Sequence, residues 1–156
     1  AELFRQRYPD AAAVNVDVIG VGSSAYDGLN ALYGDVRPVN VSMASAYTDR
    51  SGRLRMRNLR TELLWRMRDA LDPTGGGEVA LPPGNEVLAD LCAARYRPQA
   101  GGVVLAESKD DIKARLGRSP DVGDALLLAM YEPPSVGSWG DLEALGEVEG
   151  YRSRWK

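Results

Sequence analysis

Three aspartates and a run of arginines carry most of the chemistry this sequence offers. Asp17 interrupts the β-branched run "VNVDVIG", directly before the glycine turn "GVGSSA". Strand side chains alternate faces, so Asn15 and Asp17 share one face while Val14, Val16 and Val18 share the other. A carboxylate inside such a strand is costly to bury without a cation or hydrogen-bond donors. Asp17 therefore calls for a bound cation or for the backbone N–H groups of the turn that follows. It also sits near the C-terminal end of its strand, the edge where open α/β sheets bind ligands. Asp121 and Asp124 lie three apart in "RSPDVGDALLLA" and share one face of the first helical turns. Asp121 suits the positive end of a helix dipole. Asp124 lies deeper, on the same face as Leu128. Two acids on the rim of a buried helix and one at a strand end form an oxygen-only donor set, which suits Mg²⁺, Mn²⁺ or Ca²⁺.

The chain contains no histidine, which excludes Ser-His-Asp and Cys-His catalysis, histidine general bases and His-ligated zinc. Its one cysteine, Cys92, excludes an internal disulfide and fits a reducing, cytoplasmic setting. At 156 residues, 44% of them hydrophobic and 26% charged, the composition is that of one ordinary globular domain. No apolar run approaches the roughly 18 residues needed to cross a membrane, and the charged start "AELFRQRYPD" is not a signal peptide.

The net charge of −3 is no nucleic-acid signature, so any such signal must be local. Arg50, Arg53, Arg55, Arg57, Arg60, Arg66 and Arg68 supply one, and Lys109, Lys113, Arg115 and Arg118 add positive charge just before the Asp121 helix. A charge run is usually a solvated helix face. The preference for arginine, whose fork suits phosphate, tilts the balance toward a backbone-gripping patch. Trp65, within the same run, is expected in the core.

The glycine turn also resembles a dinucleotide-binding G-x-G-x-x-G/A turn. That site requires an acid at the end of the next strand, and "VRPVNVSMAS" ends without one. A nucleotide-binding α/β domain is thus the weaker alternative.

The elements that position these residues read as follows. A helix covers 1–8, with Leu3, Phe4 and Tyr8 at helical spacing, and Pro9 breaks it. Val14 to Ile19 is a strand. Ser23 or Ser24 caps a helix to Tyr33, ended by Gly34. Val36 to Met43 is a strand. Asn58 to Leu71 is a helix with a Leu59, Leu63, Met67, Leu71 stripe and an i,i+4 Glu62–Arg66 pair. "EVALPPG" is a short strand, Asn85 to Tyr96 a helix, and "GGVVLAES" a strand pairing with "EVALPP". Ser108 opens a capping-box helix to Leu116, and Ser119-Pro120 caps the helix that carries Asp121 and Asp124. The order implies an α/β layered domain over 1–131. The Pro-, Gly- and Ser-rich segment 132–156 is expected to be a flexible C-terminal tail.

The segments "VNVDVIGVGSSAYDGL", "NLRTELLWRMRDAL", "VALPP", "AARY" and "ESKDDIKARLGRSPDVGDALLLA" occur in the order found in tailed-bacteriophage terminase large subunits. From about residue 10 to 131 the chain resembles their C-terminal nuclease domain, and the last segment is the most specific. The resemblance implies an RNase H-like fold and a two-metal DNA endonuclease using Mg²⁺ or Mn²⁺ that cuts concatemeric viral DNA during genome packaging. It assigns metal binding and catalysis to Asp17, Asp121 and Asp124, with DNA gripped by Arg53, Arg55, Arg57, Arg60, Lys109 and Arg118. The implied partners are double-stranded DNA, the terminase small subunit and the portal protein, in the cytoplasm of a host cell. The family's first acid, on the first strand of its sheet, has no counterpart in residues 1–13. Asp10 is about 23 Å from Asp17 along an extended strand. There is also no P-loop for a packaging ATPase. The expectation is an N-terminally truncated domain whose exposed sheet edge favours self-association. A catalytically inactive DNA-binding or assembly fragment of the same family is the alternative.

Overall fold

The computed structural model describes residues 6–8, 13–20, 22–32, 35–75, 77 and 79–133. The expected helix over 1–8 and the tail beyond 133 lie largely outside them. So does Gly34, the expected helix stop.

A strand-helix-strand unit opens the fold. Strand β1 (Val14–Asp17) leads through a glycine turn into helix α1 (Gly22–Asn30), and β2 (Val36–Val39) returns parallel to β1. Val14 stands opposite Val36, and Asp17 opposite Val39. The strand expected to reach Met43 stops at Val39. Asn40 forms a turn instead, accepting from Ser42 N through its side chain and from Met43 N through its carbonyl.

A second sheet is separate from the first. Strand β3 (Arg55–Met56) runs parallel to β5 (Val103–Ala106), and β4 (Tyr96–Gln99) pairs with β5 antiparallel, giving the order β3-β5-β4. This corrects the expected pairing of "EVALPP" with "GGVVLAES": residues 79–84 form no strand. Leu81-Pro82-Pro83 has two residues without an N–H, which makes a poor ladder partner.

Helix α2 (Leu59–Leu71) joins the two sheets. Asn58 caps it by accepting from Thr61 N at 3.0 Å. One face buries Leu59, Leu63 and Met67 with Val39 of β2 and Leu127, and Leu71 packs at the margin. The opposite side buries Trp65 with Met56 of β3 and Val104 of β5. Buried Thr61 accepts from Ala106 N at 3.0 Å and so ties the helix to β5 as well. Trp65 is core, as expected. A helix apolar on two sides is what one element between two sheets requires.

Helix α3 (Asn85–Ala93) ends three residues short of the expected Tyr96, which instead begins β4. Pro98 follows Arg97 and restricts it to extended backbone, which closes the helical option. Helix α4 (Lys109–Leu116) has the expected Ser108 cap, accepting from Asp111 N at 3.1 Å. Helix α5 (Asp121–Ala129) begins differently from expectation: Pro120 holds the N-cap position without a side-chain cap. The Ser119 hydroxyl instead donates to Asp121 Oδ1 at 2.6 Å. Among the described residues no helix is long and apolar enough to cross a membrane.

Candidate functional site

A cavity of about 590 Å³ opens between the C-terminal end of β1 and the joined ends of α2, β5, α4 and α5. Val41, Leu63, Leu105, Ala106, Leu127 and Leu128 supply its apolar walls. Its polar groups come from every surrounding element. Asp17 comes from β1, Arg60 from α2, Arg97 from β4, Lys109 from α4 and Asp124 from α5.

Asp17 reaches the cavity because the chain turns sharply away behind it. Its Oδ1 accepts from Ile19 N at 3.0 Å, the backbone-capping role open to it from sequence. Gly20 takes a φ of 70°, and a Cβ on Gly22 would lie 1.7 Å from the Asp17 carbonyl oxygen. The glycines therefore let the helix start pack against the strand end that carries Asp17.

Asp124 comes from α5 across the cavity, which Glu107 and Asp111 also line, and is held by two cations. Lys109 Nζ is 2.8 Å from Oδ2, and Arg60 Nη2 is 3.4 Å from Oδ1. Arg60 also donates to the Glu107 carbonyl at 2.8 Å, which fixes its guanidinium at the end of β5. Burial works against the Lys109 charge. Its contacts with Asp124 and Asp121 outweigh that and raise its pKa above the ordinary lysine value.

Asp121 stands apart. It is exposed, does not line the cavity, and meets the Ser119 hydroxyl at 2.6 Å and Lys109 Nζ at 3.4 Å. Those two contacts, the hydroxyl first, lower its pKa. The structure thus brings Asp17 and Asp124 to one cavity and leaves Asp121 beside it, linked through Lys109. Among the described residues no three acid, histidine or cysteine side chains converge as a metal-holding group.

The basic residues divide in the same way. Arg60 and Lys109 line the cavity; Arg53, Arg55, Arg57 and Arg118 do not. Arg53, Arg55 and Arg57 lie exposed in and around β3. Arg118 is engaged elsewhere, 2.7 Å from Asp90 Oδ1 and 3.6 Å from Glu86. Arg97 enters the cavity unforeseen, because the sequence reading continued α3 to the residue before it.

Glu107 braces the rim. Arg115 of α4 donates to both its oxygens, at 2.8 and 2.6 Å, and reaches the Ala93 carbonyl of α3. The hydrogen bonds from Arg115 hold the Glu107 pKa below its ordinary 4.5, against the opposing push of burial. A depressed carboxylate pKa adds stability above the unfolded value and loses it as pH falls through the folded one. The melting-temperature difference between wild type and Glu107→Gln should therefore be present at neutral pH. It should close progressively once the pH drops below the ordinary 4.5. Thermal unfolding across this range checks it, and a gap still open at strongly acid pH would contradict the pairing.

No family model matches the chain, and no curated protein matches it. Solved structures do. A mutant nuclease domain of the large terminase subunit gp2 of bacterial virus Sf6, with manganese, is 22% identical at a TM-score of 0.64, covering 85% of this chain and 71% of that one. The same mutant domain with manganese and β-thujaplicinol gives 21% identity and a TM-score of 0.65, covering 85% and 70%. A mutant form with calcium gives 22% and 0.64, with the same coverages of 85% and 70%. The chain has the α/β fold of these nuclease domains, the RNase H-like class expected from sequence.

Proposed function

We propose that a chain with the fold of a phage terminase nuclease domain is itself a metal-dependent DNA endonuclease domain of that kind, acting on concatemeric viral DNA in genome packaging. The observation that carries this reading is one cavity lined by Asp17 and Asp124 together with Arg60, Arg97 and Lys109. The solved structures with manganese and calcium support the same choice of ion.

The donor chemistry fits a hard divalent cation, Mg²⁺ or Mn²⁺, because the cavity's ligating groups are carboxylate oxygens with no histidine or thiolate among them. Asp17 and Asp124 would hold it, with Asp121 brought in through Lys109. A bound ion supplies Lewis acidity toward water and phosphate oxygens. The chain's own residues do the rest. Arg60 and Arg97 offer guanidinium forks to a backbone phosphate inside the cavity. Lys109 neutralises Asp124 until a stronger cation takes that role. Arg53, Arg55 and Arg57, exposed beyond the cavity, extend the grip along the duplex with little sequence preference. Double-stranded DNA is the proposed substrate, and the terminase small subunit and portal protein are the proposed partners.

The lack of a converging third acid among the described residues favours a second reading, an inactive DNA-binding or assembly module. Plasmid nicking separates the two. The endonuclease reading expects conversion of supercoiled to nicked plasmid with Mn²⁺ and none with EDTA. Retained DNA binding with no nicking under any divalent ion would leave the binding module.

A further inference from the structure

We propose that Asn15 is a positioning residue that sets the placement of Asp17 against Asp124. The proposal rests on the reading of these two carboxylates as one metal-holding site.

Asn15 stands two residues before Asp17 on the same face of β1. Its Nδ2 donates to the Leu128 carbonyl at 2.8 Å and to the Tyr131 carbonyl at 3.0 Å. Leu128 lies in the last turn of α5 and Tyr131 just beyond its end. An amide group has two N–H donors, so one side chain reaches both carbonyls at this end of the helix. Leu128 lies one turn beyond Asp124 on the same helix face. One side chain therefore joins the strand and the helix that carry the two carboxylates, two residues from one and four from the other.

The arrangement is not the one that stability alone selects. Asn15 Oδ1 is buried and has no hydrogen-bond partner among the described residues. An unpaired buried acceptor is unfavourable, and a leucine in the same half-buried space would carry none. What the amide adds is geometry. Two hydrogen bonds in different directions fix α5 along its axis and in rotation about it, so Asp124 is held facing the end of β1. Among the described residues neither Asp17 nor Asp124 is hydrogen-bonded to the other's element, and the Asn15 amide supplies a link between them.

The test compares wild type with Asn15→Leu and with Asn15→Asp, which keeps the shape but loses both donors. Met56→Ala, a truncation in the other core cluster, controls for general destabilisation. Spin labels on Ile19→Cys and Ala125→Cys, in a Cys92→Ser background, report the spacing of β1 and α5 without any metal. Mn²⁺ affinity is read by electron paramagnetic resonance on unlabelled protein, and nicking gives kcat and KM for plasmid. Both Asn15 variants should broaden the distance distribution and weaken Mn²⁺ binding about 10- to 100-fold, as loss of a ligand-orienting partner does. They should lower kcat in proportion and leave KM for DNA unchanged. An unchanged distance distribution, or a loss of Mn²⁺ affinity no larger than in Met56→Ala, overturns the proposal while leaving the metal site standing. A wild type that binds no Mn²⁺ overturns the metal site itself, and the proposal with it.

Discussion

Asp124→Ala should abolish Mn²⁺-dependent nicking, by more than ~100-fold, while DNA binding grows tighter. The two effects have opposite signs for one reason. Loss of a group that merely orients a metal ligand costs about 10- to 100-fold, and removal of a ligand itself exceeds that. Meanwhile Lys109, 2.8 Å from the carboxylate, and Arg60, 3.4 Å from it, lose their counter-charge. Two cations then face the cavity unopposed, and a polyanion is the natural replacement. Asp17→Asn should lose nicking as well, but without the tighter binding, since Asp17 makes a backbone contact with Ile19 N and no ion pair among the described residues. Nicking assays paired with DNA titrations at one fixed salt concentration check both. An Asp124→Ala protein that nicks within a few-fold of wild type removes Asp124 from the site.

Gly123→Ala should be among the most destabilising single changes, at about 2–4 kcal/mol. The first turn of α5 packs directly on α3. A Cβ at position 123 would lie 2.8 Å from Asp90 Cβ, 3.4 Å from its carbonyl carbon and 3.7 Å from its Cα. These are atoms at or near the backbone, which cannot swing aside, and overpacking of this kind costs about 1–3 kcal/mol. The helix must shift, and the shift strains the buried hydrogen bond from Gly123 N to Asp90 Oδ2 at 3.0 Å. A bond to a charged acceptor adds about 1.5–3 kcal/mol, and the better helix propensity of alanine returns about 1 kcal/mol. For a domain of this size the melting temperature should fall by roughly 5–10 °C. A fall of less than about 2 °C would show that α3 and α5 separate freely here. Asp124 is the next residue, so the same variant should also lose nicking.

Much of the frame was legible because local and tertiary signals agree. The Leu59, Leu63, Met67 stripe lies on one buried face, Asn58 and Ser108 cap their helices, and the β1 turn needs its glycines. The misreadings arose where a non-local partner decided. Residues 94–96 continue the expected helix in sequence, yet the pairing of Tyr96–Gln99 with β5 stops the helix at Ala93. That pairing is also why Arg97 was missed. Asp17 and Asp124 stood out because each is a charged residue beside a run of apolar ones, the valines of β1 and Leu126 to Leu128 of α5. The separation of Asp121 from them could not be read, since three-residue spacing permits one shared face without saying where the cavity lies. Asn15 carried a signal that went unused: a polar side chain on the same strand face as Asp17.

The two sheets share no ladder, and this bears on how the molecule comes apart. β1 and β2 form a two-stranded sheet, and every residue of β1 is half-buried. β1 carries no fully buried side chain, whereas β2, α2 and β5 contribute deeply enclosed ones, Val39, Leu63 and Val104. Regions with few enclosed contacts open in partial excursions well before the whole domain melts. Asp17 rides on β1, and Asp124 on a helix anchored through Leu127 in the core cluster that holds Val39 and Leu63. A local excursion of β1 would take Asp17 out of the cavity while leaving most of the fold intact. Nicking should therefore be lost at a lower temperature than the cooperative unfolding of α2 and β5.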